Sequence, residues 1–132
     1  MKLDFQVGTS KKAHKILQSL DSKTSKNPKA PFNGMNDAYL FALILGLSVG
    51  KKTEVTNQTN YANFSSVEGD YDIAILLANL GEESDMESKE SARKAIQEYA
   101  TWGLLKMDDY KIGDDYRFGD MLENLLGKSG SA

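Results

Sequence analysis

Phe32–Lys52 reads FNGMNDAYLFALILGLSVGKK, and its reading decides the fold. Ala38, Phe41, Ala42 and Leu45 fall on one helical face, and Leu40, Ile44 and Leu47 on another. A helix that is apolar nearly all round must be buried on most sides. Asn33 or Asn36 is placed to cap its start. Asp37 stands in the first turn, where the helix end is positive, and Gly50 suits the residue just past the end. The spacing therefore predicts a buried helix over 36–49, either at the centre of a domain or at a contact between two copies. Gly46 inside such a helix costs about 1 kcal/mol against Ala, which points to close packing there.

Upstream, Leu3, Phe5 and Val7 alternate with polar residues and predict a short strand over 2–7, ended by Gly8 and Thr9. Ser10 can cap a helix over 10–22 whose stripe is Ala13, Ile16, Leu17 and Leu20, with Lys11, Lys12 and Lys15 off the stripe. Ser22 to Asn33 reads as a loop because Pro28 and Pro31 bar a helix through it. Downstream, residues 51–60 are polar, with an extended piece expected around Val55. A helix over 67–80 follows a capping box of Ser65 and Glu68. Ser84 and Glu87 form a second box opening a helix that runs to about Lys106, with Gly103 as a kink or an end. Lys106 to Asp120 reads as a loop with a turn of strand at 116–118, and Asp120 caps a last helix containing Met121, Leu122, Leu125 and Leu126. The expected architecture is mainly α. It is a single compact domain over 1–127, with about five helices around the central helix 36–49, a short N-terminal strand and a disordered tail at 128–132.

The chain has 132 residues, no cysteine and one histidine. Disulfides, zinc–thiolate sites, cysteine nucleophiles and multi-histidine metal sites are thereby excluded. The N-terminus MKLDFQVG lacks an apolar signal core, and the longest apolar run is too short to span a bilayer. The expectation is a cytoplasmic protein without membrane contact, in which the sequons at Asn57 and Asn63 are chance matches. The charge is uneven. Residues 1–60 hold nine lysines against four acids, and residues 61–132 hold seven basic against fifteen acidic residues. Such polarity either fits an acidic partner to the basic half or lets the halves complement each other within one fold.

No constellation reads as an active site, so no enzyme and no cofactor is expected. His14 has no visible nucleophile or acid as partner. The acid clusters at 70–72, 82–87 and 108–115 could hold a hard cation, but none has the EF-hand spacing, and solvated loops are the plainer reading. Gly50-Lys51 mimics the end of a phosphate-binding loop, yet its first glycine lies within a helix and no Ser or Thr follows Lys51 directly. Strand, helix and helix in succession resemble a ribbon-helix-helix regulator. That alternative reading makes a dimer with Lys2, Asp4 and Gln6 on a DNA-reading ribbon. Against it, Asp4 is a poor phosphate neighbour and the loop between the helices is long.

Three segments carry a family likeness: FNGMNDAYLFALILGLSVGKK, Ile96–Met107 (IQEYATWGLLKM) and Gly119–Leu126 (GDMLENLL). Together they resemble the small accessory proteins found with Dnd-type DNA phosphorothioation clusters and related antiphage DNA-modification systems. The likeness covers most of 32–126 and departs at Trp102, where that family tends to have glycine. It implies a non-enzymatic accessory or adaptor protein in antiviral defence and restriction. Its partner would be a larger protein of the same cluster, an ATPase or nuclease. It implies no catalytic residue and no metal site. Glu98, Tyr99, Trp102 and Gly103 are candidates for partner interaction, against a plainer packing role. DNA contact, where it occurs, is expected from the basic half, with Lys11, Lys12, Lys15, Lys51 and Lys52 as the candidates.

Overall fold

The computed structural model describes residues 2–127. In chain order it contains β1 (Gln6–Ser10), α1 (Lys11–Leu20), α2 (Ser22–Ser25), α3 (Met35–Val49), β2 (Gln58–Asn63), α4 (Phe64–Glu68), α5 (Ile73–Leu80), a 3-10 turn at Glu83–Met86, α6 (Lys89–Asp109) and α7 (Phe118–Leu122), the last followed by one π-type turn. The protein is mainly helical, with seven α-helices among the described residues and one two-stranded antiparallel sheet. The expected tail at 128–132 lies outside the described residues.

α3 is the centre, as its sequence requires. Ala38, Tyr39, Leu40, Ala42, Leu43, Leu45, Gly46 and Leu47 are all buried within the chain itself. Neither Asn33 nor Asn36 caps it. Gly34 takes the cap position with φ 152°, and it has no side chain to offer. Gly50 ends the helix in the left-handed region (φ 76°), its amide donating to the Gly46 carbonyl at 2.8 Å.

α6 crosses α3 at backbone contact. A methyl at Gly46 would stand 2.9 Å from the Tyr99 carbonyl carbon, and one at Gly103 would stand 2.7 Å from the Ala42 carbonyl carbon. Gly103 therefore neither kinks nor ends α6, which runs on to Asp109. It is the place where the two helices touch.

The strand forms later than expected, at 6–10 instead of 2–7, because its partner fixes it. Gln6 faces Asn63 and Thr9 faces Thr59, with a bulge between Val7 and Gly8. Gly8 does not break the strand, since it lets Thr59 approach where a side chain would collide. The partner strand starts at Gln58, after the polar stretch around Val55.

Other boundaries move for local reasons. Asp21 ends α1 and caps α2, so the expected loop begins with a helical turn. The expected helix 67–80 is two helices. Asn63 caps α4 through the Ser65 amide (3.0 Å), Gly69 turns the chain at φ 58°, and Asp72 caps α5. Glu68 accepts from the Ile73 amide at 2.8 Å and so does not close a box on Ser65. Ser88 and Ser91 open α6 in place of Ser84 and Glu87, because Glu82 and Asp85 have already closed the 3-10 turn upstream. Residues 112 and 115 form an isolated bridge, and Phe118 begins a helix, so no strand forms at 116–118.

Candidate nucleic-acid interface

α1 is strongly amphipathic. Ala13, Ile16, Leu17 and Leu20 are buried, while Lys11, Lys12 and Lys15 are exposed. The surface continues through α2 and the following turn, where Lys23, Lys26 and Lys29 are also exposed. Residues 5–36 contain these six lysines and a single acid, Asp21. Asp21 is buried, and its carboxylate is occupied as a cap, accepting from the Lys23 amide at 3.0 Å and the Thr24 hydroxyl at 2.6 Å. Those bonds hold its pKa below the ordinary value: the Thr24 bond acts most strongly, burial opposes it, and the backbone amides add to it. Among the six lysines, Lys29 pairs with Asp114 at 3.6 Å on the exposed surface. Such a set of mobile ammonium groups can meet phosphates but carries no base-reading geometry.

Lys51 and Lys52 do not act as a pair. Lys51 is exposed. Lys52 turns inward to Asp85, Nζ to Oδ1 at 2.9 Å, and lies over the Tyr99 ring at 5.0 Å. Asp85 Oδ2 also accepts from the Glu82 amide (2.8 Å) and the Tyr99 hydroxyl (3.0 Å). Burial disfavours the Lys52 ammonium, but the hydrogen bond and charge of Asp85 outweigh it and raise the Lys52 pKa. Burial, and then the bond to Asp85, raises that of Tyr99. Lys52 is thus a core-edge cation that joins the chain just past α3 to the 3-10 turn before α6 and to Tyr99 in the middle of α6.

The other candidates separate in the same way. Tyr99 and Gly103 are buried in packing. Trp102 is half-buried under Lys106, whose Nζ is 5.5 Å from the ring centre. Glu98 is half-buried and its carbonyl accepts from the Thr53 amide at 3.1 Å. Sequence reasoning missed Lys23 and Lys26, although a stretch of six lysines with one acid was readable. It also missed the polar core behind β1. There the Gly8 amide donates to Gln97 (3.0 Å), the Tyr39 hydroxyl donates to the Gly8 carbonyl (2.9 Å), and the Thr9 and Thr101 hydroxyls bond each other. His14 lies 6.5 Å from the Tyr61 ring and is half-buried. Among the described residues no three His, Cys, Asp or Glu side chains gather as a metal-binding group, and no helix is long and apolar enough to cross a membrane.

Comparison of the chain with family models, with curated proteins and with solved structures finds no match.

Proposed function

We propose that this protein is a non-enzymatic, cytoplasmic accessory protein of a DNA-modification-linked, phosphorothioation-type antiphage system. In this reading it binds a larger partner, an ATPase or nuclease, and meets nucleic-acid phosphates with the basic face of α1 and α2. The defence setting rests on the likeness of 32–52, 96–107 and 119–126 alone. The phosphate contact is carried by one observation: six exposed lysines within residues 5–36, a stretch whose single acid is buried as a helix cap, against two acids brought beside them by the fold, Glu54 near Lys11 and Lys12 and Asp114 near Lys29. A dimeric strand ribbon is the weaker reading. β1 is already paired with β2 of its own chain, and the Gly8 amide and carbonyl are held by Gln97 and Tyr39.

Fluorescence anisotropy with labelled duplex DNA tests the proposal. Four phosphate contacts give a log–log salt slope of about −3.6, so affinity falls by about a hundredfold between about 50 and about 200 mM salt. Absence of binding at the lower salt refutes the phosphate contact.

A further inference from the structure

Lysines alone cannot read a base, but a cleft that can take one lies beside two of them. It has a volume of about 270 Å³, just under the range of small-ligand pockets and suited to a single flat ring. Three elements line it. α1 contributes Lys11 and Lys12, the 53–57 segment contributes Thr53, Glu54, Thr56 and Asn57, and α6 contributes Leu105. None of these six polar side chains makes a hydrogen bond or ion pair among the described residues. Leu105 is half-buried and is the apolar side chain in the lining.

The mixed lining selects the ligand. A lone phosphate would suit the two lysines but be repelled by Glu54, and a cationic ligand would meet the reverse. A nucleotide satisfies all three. Its phosphate suits the lysines, an amino group on its base edge suits the carboxylate, and its flat face suits Leu105. The 53–57 segment separates this cleft from a smaller one of about 160 Å³, where Glu54, Glu90 and Glu98 outnumber Arg93 and Lys94 and would turn a phosphate away.

We propose that the cleft between α1, the 53–57 segment and α6 receives one unpaired base of a single-stranded nucleic acid. Its flanking phosphates rest on Lys11 and Lys12, its ring lies against Leu105, and its amino edge donates to Glu54. Thr53, Thr56 and Asn57 offer further donors and acceptors to the base and sugar. In a duplex the base edges are paired and the faces stacked, so a paired base does not enter. Glu54 gives the cleft a preference. Cytosine presents an amino group to a carboxylate. Thymine presents one N–H between two carbonyl oxygens, and these repel a carboxylate. This inference rests on the phosphate contact proposed above and names the kind of strand that makes it.

The test measures anisotropy of labelled oligo-dC and oligo-dT of about ten nucleotides with the full chain at neutral pH and low salt, beside duplex DNA. Native protein should bind oligo-dC about tenfold more tightly than oligo-dT. Glu54→Gln should abolish that preference, because an amide serves either base. Glu54 is exposed, so the substitution leaves the core untouched. Leu105→Ser should weaken oligo-dC binding by about fivefold or more, with thermal melts verifying that the variant folds. Oligoribo-C run beside oligo-dC distinguishes the two sources of such a base, the tighter strand being the one the cleft takes. Equal binding of oligo-dC and oligo-dT by native protein overturns the proposal, and so does a preference that Glu54→Gln leaves unchanged. Binding of duplex without binding of either single strand overturns the base cleft but leaves the phosphate contact standing. Absence of all binding at low salt ends both.

Discussion

Asp85 shows how much one side chain can hold. Its carboxylate is almost fully buried and satisfied by the Lys52 ammonium, the Tyr99 hydroxyl and the Glu82 amide. Asp85→Ala removes the anion but leaves Lys52 and Tyr99 without it, so it should cost about 3 kcal/mol, read as a lower urea midpoint. Glu82→Ala should cost less, about 1 kcal/mol for its place in the capping box, since its 3.4 Å pair with Lys52 is solvent-screened. The same network sets an alkaline limit. The Lys52 pKa is raised in the folded protein, so its contribution is complete below the ordinary value of 10.5 and is lost as pH climbs through the folded value. Burial raises Tyr39, Tyr61 and Tyr99 as well, and they act in the same direction. Stability should therefore fall above about pH 10, where the tyrosines of the unfolded chain begin to ionise, and Lys52→Met should remove the Lys52 share of that fall, as measured by thermal melts across alkaline pH. None of this was legible in the sequence. Lys51 and Lys52 are equivalent as letters, and the acid that captures one of them lies 33 residues on. Nor does EESDME reveal which of its acids is buried, because it has no apolar period to set the phase.

At the scale of elements, the α3–α6 crossing determines the interior. Gly46 meets Tyr99 while Gly103 meets Ala42, so each helix presents a small residue to the other's backbone. Gly46→Ala and Gly103→Ala should each destabilise the protein by about 1–3 kcal/mol, despite the higher helix propensity of alanine. The double variant should cost less than the sum, because the first methyl already separates the helices that the second would push apart. Urea unfolding of the four proteins measures this; additive losses would mean that the two glycine positions relax independently. Both sides of the crossing left a sign in the sequence. Gly46 stands out in an apolar helix, and Gly103 with Ala100 reads as a small-residue packing motif, although Gly103 reads equally as a kink or a helix end. Chain breaks were harder still. Apolar periodicity runs from Val67 to Leu80 as though through one helix, and Gly69 with the Asp72 cap overrides it.

At the scale of the molecule, the charge imbalance along the sequence becomes a spatial one. Six lysines gather on α1, α2 and the next turn, and seven acids flank α5, while α1 and α5 both rest on α3; the acids of 108–123 lie apart from α5, and one of them, Asp114, meets Lys29. The imbalance was legible from counting alone; its surfaces were not, since counting cannot tell a free lysine from one spent on Asp85. That difference supplies a test. Lys11→Glu, Lys12→Glu and Lys15→Glu should each weaken DNA binding, and every phosphate no longer neutralised should make the salt slope shallower by about 0.9. Lys23→Glu and Lys26→Glu should do the same. Lys51→Glu should weaken binding without a change in melting temperature. Lys52→Ala should do the reverse, lowering the melting temperature while leaving the salt slope as it was, because its ammonium is held by Asp85. If Lys52→Ala reduces the slope as Lys15→Glu does, the ion pair opens on DNA and the division between core cation and surface cation is wrong. If none of the substitutions on α1 and α2 changes the slope, this face does not meet phosphates.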